Sequence, residues 1–335
     1  MQAIVLSAYG SAENFRLADL PIPPLRKGDV RIRVKSISFN PIDYQIRQSL
    51  PESSQVTSSI LGLYLSGVID AVHEDVADFH PGDEVYSYVS KLASSGTYAE
   101  YVSVPAELVA KKPLVLTHDQ AAAVPVVGIT ASLALEKVNA DASRSVFIAG
   151  GAGGVGSFAI VLGQHLGIRH LITTAGNATS RAYLIEKGDL KDAQIVSYTD
   201  DDFITQAINR NGEPFDCVLD FVGGAMLSAC CQLLAVDGHL ASVTDAPRQD
   251  DFEFLFQRNA SFHAVGAHAY SLTDDRACWK KYQDMLTQFA RMFDSGALRP
   301  PYVTNVGSLS IETVRQAHDL LERSAVQGKL VMSCP

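Results

Sequence analysis

Ser145-Val-Phe-Ile-Ala-Gly-Gly-Ala-Gly-Gly-Val-Gly-Ser-Phe-Ala-Ile-Val161 decides the fold. Val146 to Ala149 is a short unbroken apolar run, the pattern of a strand buried on both faces of a parallel sheet. A glycine-dense turn follows. It leads into Ser157-Phe-Ala-Ile-Val-Leu-Gly-Gln-His-Leu166, which has helical character. Gly150, Gly153 and Gly156 recur at every third position. That spacing suits, in turn, a tight bend, close backbone approach to a pyrophosphate, and close packing of helix on strand. Gly154 and Val155 lie in the same turn, which would present a cofactor's phosphates to the following helix N-terminus, whose unpaired N–H groups and dipole favour an anion. Glycine triplets also occur in purely structural turns. With a strand before it and a helix after it, this one reads as a dinucleotide-binding turn.

Outward from this turn the two flanks differ in texture. From about residue 123 onward, short apolar runs alternate with helical stretches. Val146–Ala149 is followed by a helix, His170–Thr174, a helix around Arg181–Lys187, Ile195–Ser197, Cys217–Asp220, a helix around Met226–Leu234, and His239–Val243. That rhythm predicts βαβ units and a parallel sheet. Residues 1 to about 120 carry instead short strand patterns broken by Pro and Gly, among them Val30–Lys35, Leu65–Asp70 and Asp83–Tyr88, and predict a mostly β domain. After Pro300-Pro301 a helical Ile311–Glu322 and a strand-like Lys329–Met332 return to the first domain. The expected division is 1–122, 123–298 and a tail 299–335.

At 335 residues the chain exceeds what one hydrophobic core ordinarily supports. With 47% hydrophobic and 19% charged residues it reads as a globular protein, and its net charge of −10 speaks against nucleic acid and anionic membrane surfaces as partners. Met1–Leu6 reads as a first strand, not as a leader. The longest apolar stretch, Ala121–Leu135, is short for a bilayer and carries Pro125 and Gly128. Five cysteines match neither a disulfide framework nor a zinc site, which suits reduced thiols and a cytoplasmic protein; Cys230-Cys231 reads as helix packing.

Four segments carry a resemblance along essentially the full length: Ser38-Phe-Asn-Pro-Ile-Asp-Tyr-Gln-Ile-Arg47, Pro81-Gly-Asp-Glu-Val85 with Gly96-Thr-Tyr-Ala-Glu-Tyr101, Gly128-Ile-Thr-Ala131, and the Gly150–Gly156 turn. In order and separation they resemble the zinc-independent quinone oxidoreductase branch, zeta-crystallin-like, of the medium-chain dehydrogenase/reductase superfamily. The resemblance implies a GroES-like mostly β catalytic domain around an inserted Rossmann domain with a doubly wound parallel sheet. It also implies an active-site cleft between the domains and a homodimer joined near Phe262–Tyr270. Where zinc-dependent relatives carry a Cys and a Gly-His-Glu, this chain has Asn40 and Gly62-Leu63-Tyr64. A zinc cage needs three protein ligands, which these residues do not supply, so no metal is expected.

NAD-preferring folds place a carboxylate about twenty residues beyond the glycine turn. Here Thr173–Arg181 has none, which leaves room for the 2′-phosphate of NADPH. By resemblance that phosphate is held near Asn177, by a basic residue in the next helix, here Arg181, and by Tyr198. Arg181 would otherwise be an exposed cation near a helix start. Thr130 resembles a threonine that touches the cofactor in a Gly128–Ala131 turn, with helix capping as its other reading. Val222, Val243 and Val265 are expected to line the nicotinamide end.

Without a Lewis acid the expected reaction is hydride transfer from NADPH to an acceptor that is already electrophilic, a quinone or an α,β-unsaturated carbonyl. Asn40, Tyr44 and Tyr64 are the catalytic candidates: Asn40 to orient the nicotinamide or a substrate oxygen, Tyr44 to donate to the developing oxyanion, Tyr64 as proton donor or as packing. Most of the family has an aspartate at Tyr64 and often a tyrosine at Gln45. Asp43 and Arg47, four apart, read as a structural ion pair. Two other functions stay open: an enoyl-thioester reductase, and an NADPH-binding structural or regulatory protein with little turnover.

Overall fold

The structure is a computed structural model that describes residues 1–49, 58–89, 96–273 and 275–335. The chain opens with β1 (Gln2–Leu6) and β2 (Phe15–Asp19), an antiparallel pair. In β3 (Asp29–Ser38) Val30, Ile32 and Val34 are fully buried while Arg31, Arg33 and Lys35 alternate outward, the period of two that a half-buried strand requires. α1 (Pro41–Arg47) starts at Pro41, whose fixed φ suits a first helical position, with Asn40 as its N-cap. Then follow β4 (Tyr64–Val72), β5 (Glu84–Tyr88), β6 (Tyr101–Pro105), β7 (Val109–Lys111) and α2 (His118–Lys137).

β8 (Val146–Ala149) begins the alternating half. It is followed by α3 (Gly154–His165), β9 (Leu171–Ala175), α4 (Ala178–Glu186), β10 (Ile195–Ser197), α5 (Phe203–Asn211), β11 (Phe215–Asp220), α6 (Ala225–Gln232), β12 (Leu234–Ser242), α7 (Asp251–Gln257) and β13 (Ser261–Ala264). α8 (Arg276–Asp294), β14 (Val303–Ser308), α9 (Ile311–Glu322) and β15 (Lys329–Ser333) complete the chain.

Two compact units result: Met1–Val126 with His268–Pro335, and Val127–Ala267. In the first, the sheet runs β14-β15-β3-β4-β5-β7, with β6 also paired to β3. β15 lies antiparallel to β3, with Val331 opposite Ser38, so the carboxyl-terminal strand completes this sheet. In the second, β10-β9-β8-β11-β12-β13 is a parallel sheet. Counted from β8, its strand order is the 3-2-1-4-5-6 of a doubly wound dinucleotide fold, and the order reverses beside β8.

The division differs from expectation at residues 268–298, expected with the parallel sheet but grouped with the first unit. The cause is the apolar face of α8. Trp279, Tyr282, Leu286, Phe289 and Phe293 recur at helical spacing and are buried, and Gln283 donates to the carbonyls of Ala106 and Val109 at 3.0 and 2.8 Å. The Gly128–Ala131 segment differs too. It is neither a turn nor a cap but the interior of α2.

Candidate functional site

The glycine turn is built as its spacing predicts. Gly150 follows β8 with φ +81°, in the left-handed region that favours glycine, and its N–H donates to Thr174 Oγ1 at 3.0 Å. Gly153 is the N-cap of α3. A Cβ on Gly156 would lie 2.2 Å from the Gly150 carbonyl oxygen, so the helix packs against the turn at a distance that only glycine permits. The bend leaves the first N–H groups of α3, including those of Gly154 and Val155, at a helix N-terminus without intrahelical partners.

Three expected cofactor residues meet at the end of β9. Asn177 is the N-cap of α4: its Oδ1 accepts from the Ser180 N–H at 2.9 Å. Tyr198 covers Gly176 so closely that a Cβ there would come within 2.2 Å of the Tyr198 hydroxyl. Arg181 lies on the same helix, but its guanidinium is engaged. It donates to Asp192 Oδ1 at 2.6 Å, to the Asp192 carbonyl at 3.2 Å and to the Ile195 carbonyl at 3.1 Å, clamping the approach to β10. Asp192 in turn holds the guanidinium's pKa above its ordinary value.

Beyond β11, the buried Asp220 carboxylate accepts from the N–H groups of Val222 and Gly223, both at 3.0 Å, and from Ser242 Oγ at 2.9 Å. This places half-exposed Val222 over the turn, its methyl 2.9 Å from where a Gly150 Cβ would sit. The N–H of Val265 donates to the Ser242 carbonyl at 2.9 Å, and that of Val243 to the Asp220 carbonyl at 3.2 Å. Val222, Val243 and Val265 therefore share the carboxyl edge of the parallel sheet. Thr130 is 5% exposed within α2.

In the first unit, α1 gathers a buried polar cluster. The Asn40 N–H donates to Asp43 Oδ2 at 2.8 Å, and Asn40 Nδ2 reaches the Ser38 carbonyl at 3.4 Å. The ammonium of Lys329, at the start of β15, donates to the Phe39 carbonyl at 2.7 Å and to Asn40 Oδ1. Burial pushes the Lys329 pKa down to about 7, and Asp43 opposes that shift.

Arg47 forms an ion pair with Glu322, and it also donates to the Gly10 carbonyl and, at 3.2 Å, to His318 Nδ1. Because arginine only donates, His318 Nδ1 must accept, which puts the neutral ring's proton on Nε2, facing the Tyr98 hydroxyl at 3.2 Å. Tyr98 is then free to donate to Asp43, with which it shares a hydrogen bond. Burial, with the Arg47 charge, holds the His318 pKa down to about 3.

Tyr64 opens β4 in a ladder of tyrosines. Its ring meets Tyr88 edge-on at 5.1 Å, Tyr88 stacks on Tyr282 at 4.6 Å, and Tyr282 meets Tyr270 at 5.7 Å. Burial raises the Tyr64 phenol well above its usual range, and a hydrogen bond to Tyr88 and the Asp43 charge act in the same direction. Tyr44, on α1, is half-buried.

Comparison with known proteins matches family models to two stretches of the chain. A family model described as an alcohol dehydrogenase GroES-like domain matches residues 26–128, and one described as a zinc-binding dehydrogenase matches residues 190–332. A zinc-type alcohol dehydrogenase-like protein of Staphylococcus epidermidis is 27% identical over 98% of this chain and 99% of its own. An NADPH-dependent alkenal/one oxidoreductase of Arabidopsis thaliana, chloroplastic, is 27% identical over 99% of this chain and 79% of its own. The solved quinone oxidoreductase of Coxiella burnetii, 29% identical, superposes with a TM-score of 0.83 over 99% of this chain and 98% of its own. The chain belongs to the medium-chain dehydrogenase/reductase superfamily.

Among the described residues, no three or more His, Cys, Asp or Glu side chains form a group that could hold a metal ion. No helix among them is long and apolar enough to cross a membrane. Sequence reasoning missed Lys329, His318, Tyr98 and Asp220. Two of these had a signal. Lys329 is a lone cation opening an apolar strand, and His318 stands on the buried face of α9 with Val314 and Ala317.

Proposed function

We propose that this chain is an NADPH-dependent, zinc-independent oxidoreductase that reduces quinones or α,β-unsaturated carbonyls. The observation that carries the reading is the glycine cradle at β8–α3 joined to a β9 end without a carboxylate. The cradle fits a dinucleotide: a Cβ at Gly156 would fill it, and Gly150 needs its left-handed φ to form it. Gly150, Gly153, Gly154, Val155 and Gly156 would hold the pyrophosphate through backbone N–H groups at the α3 terminus. Asn177 and Tyr198 would meet the 2′-phosphate, with Arg181 contributing through a guanidinium already shared with Asp192. Thr130, Val222, Val243 and Val265 would contact the rest of the cofactor. When bound, NADPH supplies the hydride. The NADPH-dependent alkenal/one reductase and the quinone oxidoreductase among the relatives support both cofactor and acceptor class.

Zinc-independence rests on residue chemistry. An amide at Asn40 and an aliphatic chain at Leu63 offer no thiolate or imidazole, so the acceptor must arrive already electrophilic. The chain's own residues then have two tasks. Asn40 donates a hydrogen bond to the oxygen on which negative charge develops, where a fixed donor acts most strongly. Tyr44, the phenol on α1 that is not locked into the tyrosine ladder, supplies the proton. We further propose a cytoplasmic homodimer that extends the parallel sheet at β13, its edge strand.

Absorbance-followed NADPH oxidation with 1,4-benzoquinone, 9,10-phenanthrenequinone, a 2-alkenal and a 2-enone, with NADH in parallel, tests this reading. Turnover at least about tenfold faster with NADPH, unchanged by a chelator, supports it. Tight NADPH binding without oxidation of any acceptor would replace it with a binding or regulatory role.

A further inference from the structure

The lysine that opens β15 has no part in the reaction as outlined. We propose that Lys329 is a positioning residue: by holding the Asn40 side-chain oxygen, it leaves the Asn40 amide nitrogen as the donor to the substrate's reacting oxygen. This rests on the reductase reading above and names what sets the polarity of its hydrogen-bond donor.

An asparagine amide has nearly the same shape in either orientation, so packing alone does not choose which end faces a substrate. An ammonium chooses. It carries three hydrogens and no acceptor site, and one of those hydrogens goes to the Phe39 carbonyl at 2.7 Å while another goes to Asn40 Oδ1. The flipped amide would set N–H against N–H in a buried site, an uncompensated polar contact. From the other side the Asn40 N–H is tied to Asp43 at 2.8 Å. The freed Nδ2 has one contact among the described residues, 3.4 Å to the Ser38 carbonyl, longer than an ordinary N–H···O bond. Asn40 is thus held at its oxygen and under-used at its nitrogen.

Asp43, fully buried, supplies the countercharge that keeps the ammonium protonated. The other titratable or charged groups facing this cluster are Arg47 on α1, Tyr64 on β4, Tyr98 before β6 and His318 on α9; β14 contributes none. With the Lys329 pKa near 7, its deprotonation falls within the working range. The neutral amine gains a lone pair that can accept from Nδ2, so the flipped Asn40 becomes permitted. Turnover should then decline on the alkaline side.

The experiment uses the full-length protein with NADPH and a 2-enone. In the wild type, kcat falls above about pH 7. In Lys329→Met, kcat at pH 6.5 drops about ten- to hundredfold, as for loss of a fixed oxyanion donor, NADPH KM changes less than about threefold, and the alkaline limb disappears. Thermal melting gives a readout independent of turnover. Lys329 has a depressed folded-state pKa, so its stabilising contribution is complete above its ordinary 10.5 and is lost as pH falls through about 7. Lys329→Met should therefore gain in Tm relative to the wild type at pH 6 and lose that gain by pH 9. If Lys329→Met does not fold, Asn40→Asp decides. It keeps an oxygen on the ammonium but has no N–H to offer, and its kcat should fall by about a hundredfold or more.

Wild-type kcat with an intact alkaline limb in Lys329→Met overturns the inference while the reductase reading stands; wild-type kcat in folded Asn40→Asp overturns it together with the donor role given to Asn40 above, leaving the NADPH-dependent reduction itself. A wild-type protein that oxidises no NADPH overturns both.

Discussion

At Gly156 a single added methyl would meet the Gly150 carbonyl at 2.2 Å, a backbone atom that cannot swing aside. Gly156→Ala should cost about 1–3 kcal/mol of stability, the usual penalty of overpacking, and weaken NADPH at least about tenfold in a fluorescence titration. Wild-type binding in the variant would remove the turn from the cofactor site. Tyr64 makes the opposite case. Its phenol is bonded to Tyr88 and its ring is held in the ladder, so Tyr64→Phe should leave kcat within about threefold and lower stability by about 1 kcal/mol, one buried hydrogen bond. A loss of kcat beyond about tenfold would restore Tyr64 as the proton donor. At this scale the glycines were legible in the sequence because their constraint is local. Lys329 was not, because its partner Asn40 stands 289 positions away and only the pairing of β15 with β3 brings them together.

Elements report cofactor choice. Asn177 has two tasks, capping α4 through Ser180 and, as proposed, facing the 2′-phosphate. Asn177→Asp separates them. A carboxylate caps a helix as well as an amide and suits the helix dipole, so Tm should hold. Its charge repels a phosphate, so the kcat/KM ratio of NADPH to NADH should fall by at least about tenfold. An unchanged ratio would move the 2′-phosphate away from the β9 end. The strands flanking this site were readable because a parallel sheet buried on both faces writes unbroken apolar runs, and Val146–Ala149 and Ile195–Ser197 come out with their expected bounds. The helices were harder where glycine misled. Gly128 suggested a turn, yet Ala121–Leu135 continues as α2 with Thr130 inside it. Arg181 suggested a free cation, and only the fold shows Asp192 beside it.

The whole molecule carries a pH signature. His318 is buried neutral, so the stability it contributes is complete above its ordinary 6.5 and is lost as pH falls toward about 3. Tm of the wild type should drop between pH 6.5 and 4. His318→Gln, which can still accept from Arg47 and donate to Tyr98 but cannot titrate, should flatten that drop; a parallel fall in both proteins would place acid sensitivity elsewhere. The two-unit architecture and the doubly wound strand order were expected from the alternation of strands and helices. The attachment of α8 to the first unit was not, since an amphipathic helix declares that it has a buried face without declaring which sheet covers it.

Metal-independent hydride delivery to an activated double bond is open to a direct isotope experiment: NADPH carrying deuterium at the transferable position, an α,β-unsaturated ketone and a chelator in excess. A saturated ketone with one deuterium at the β-carbon, formed at a rate unchanged by the chelator, is the expected product. Deuterium at the carbonyl carbon of an allylic alcohol, or a rate abolished by the chelator and restored by zinc, would contradict it.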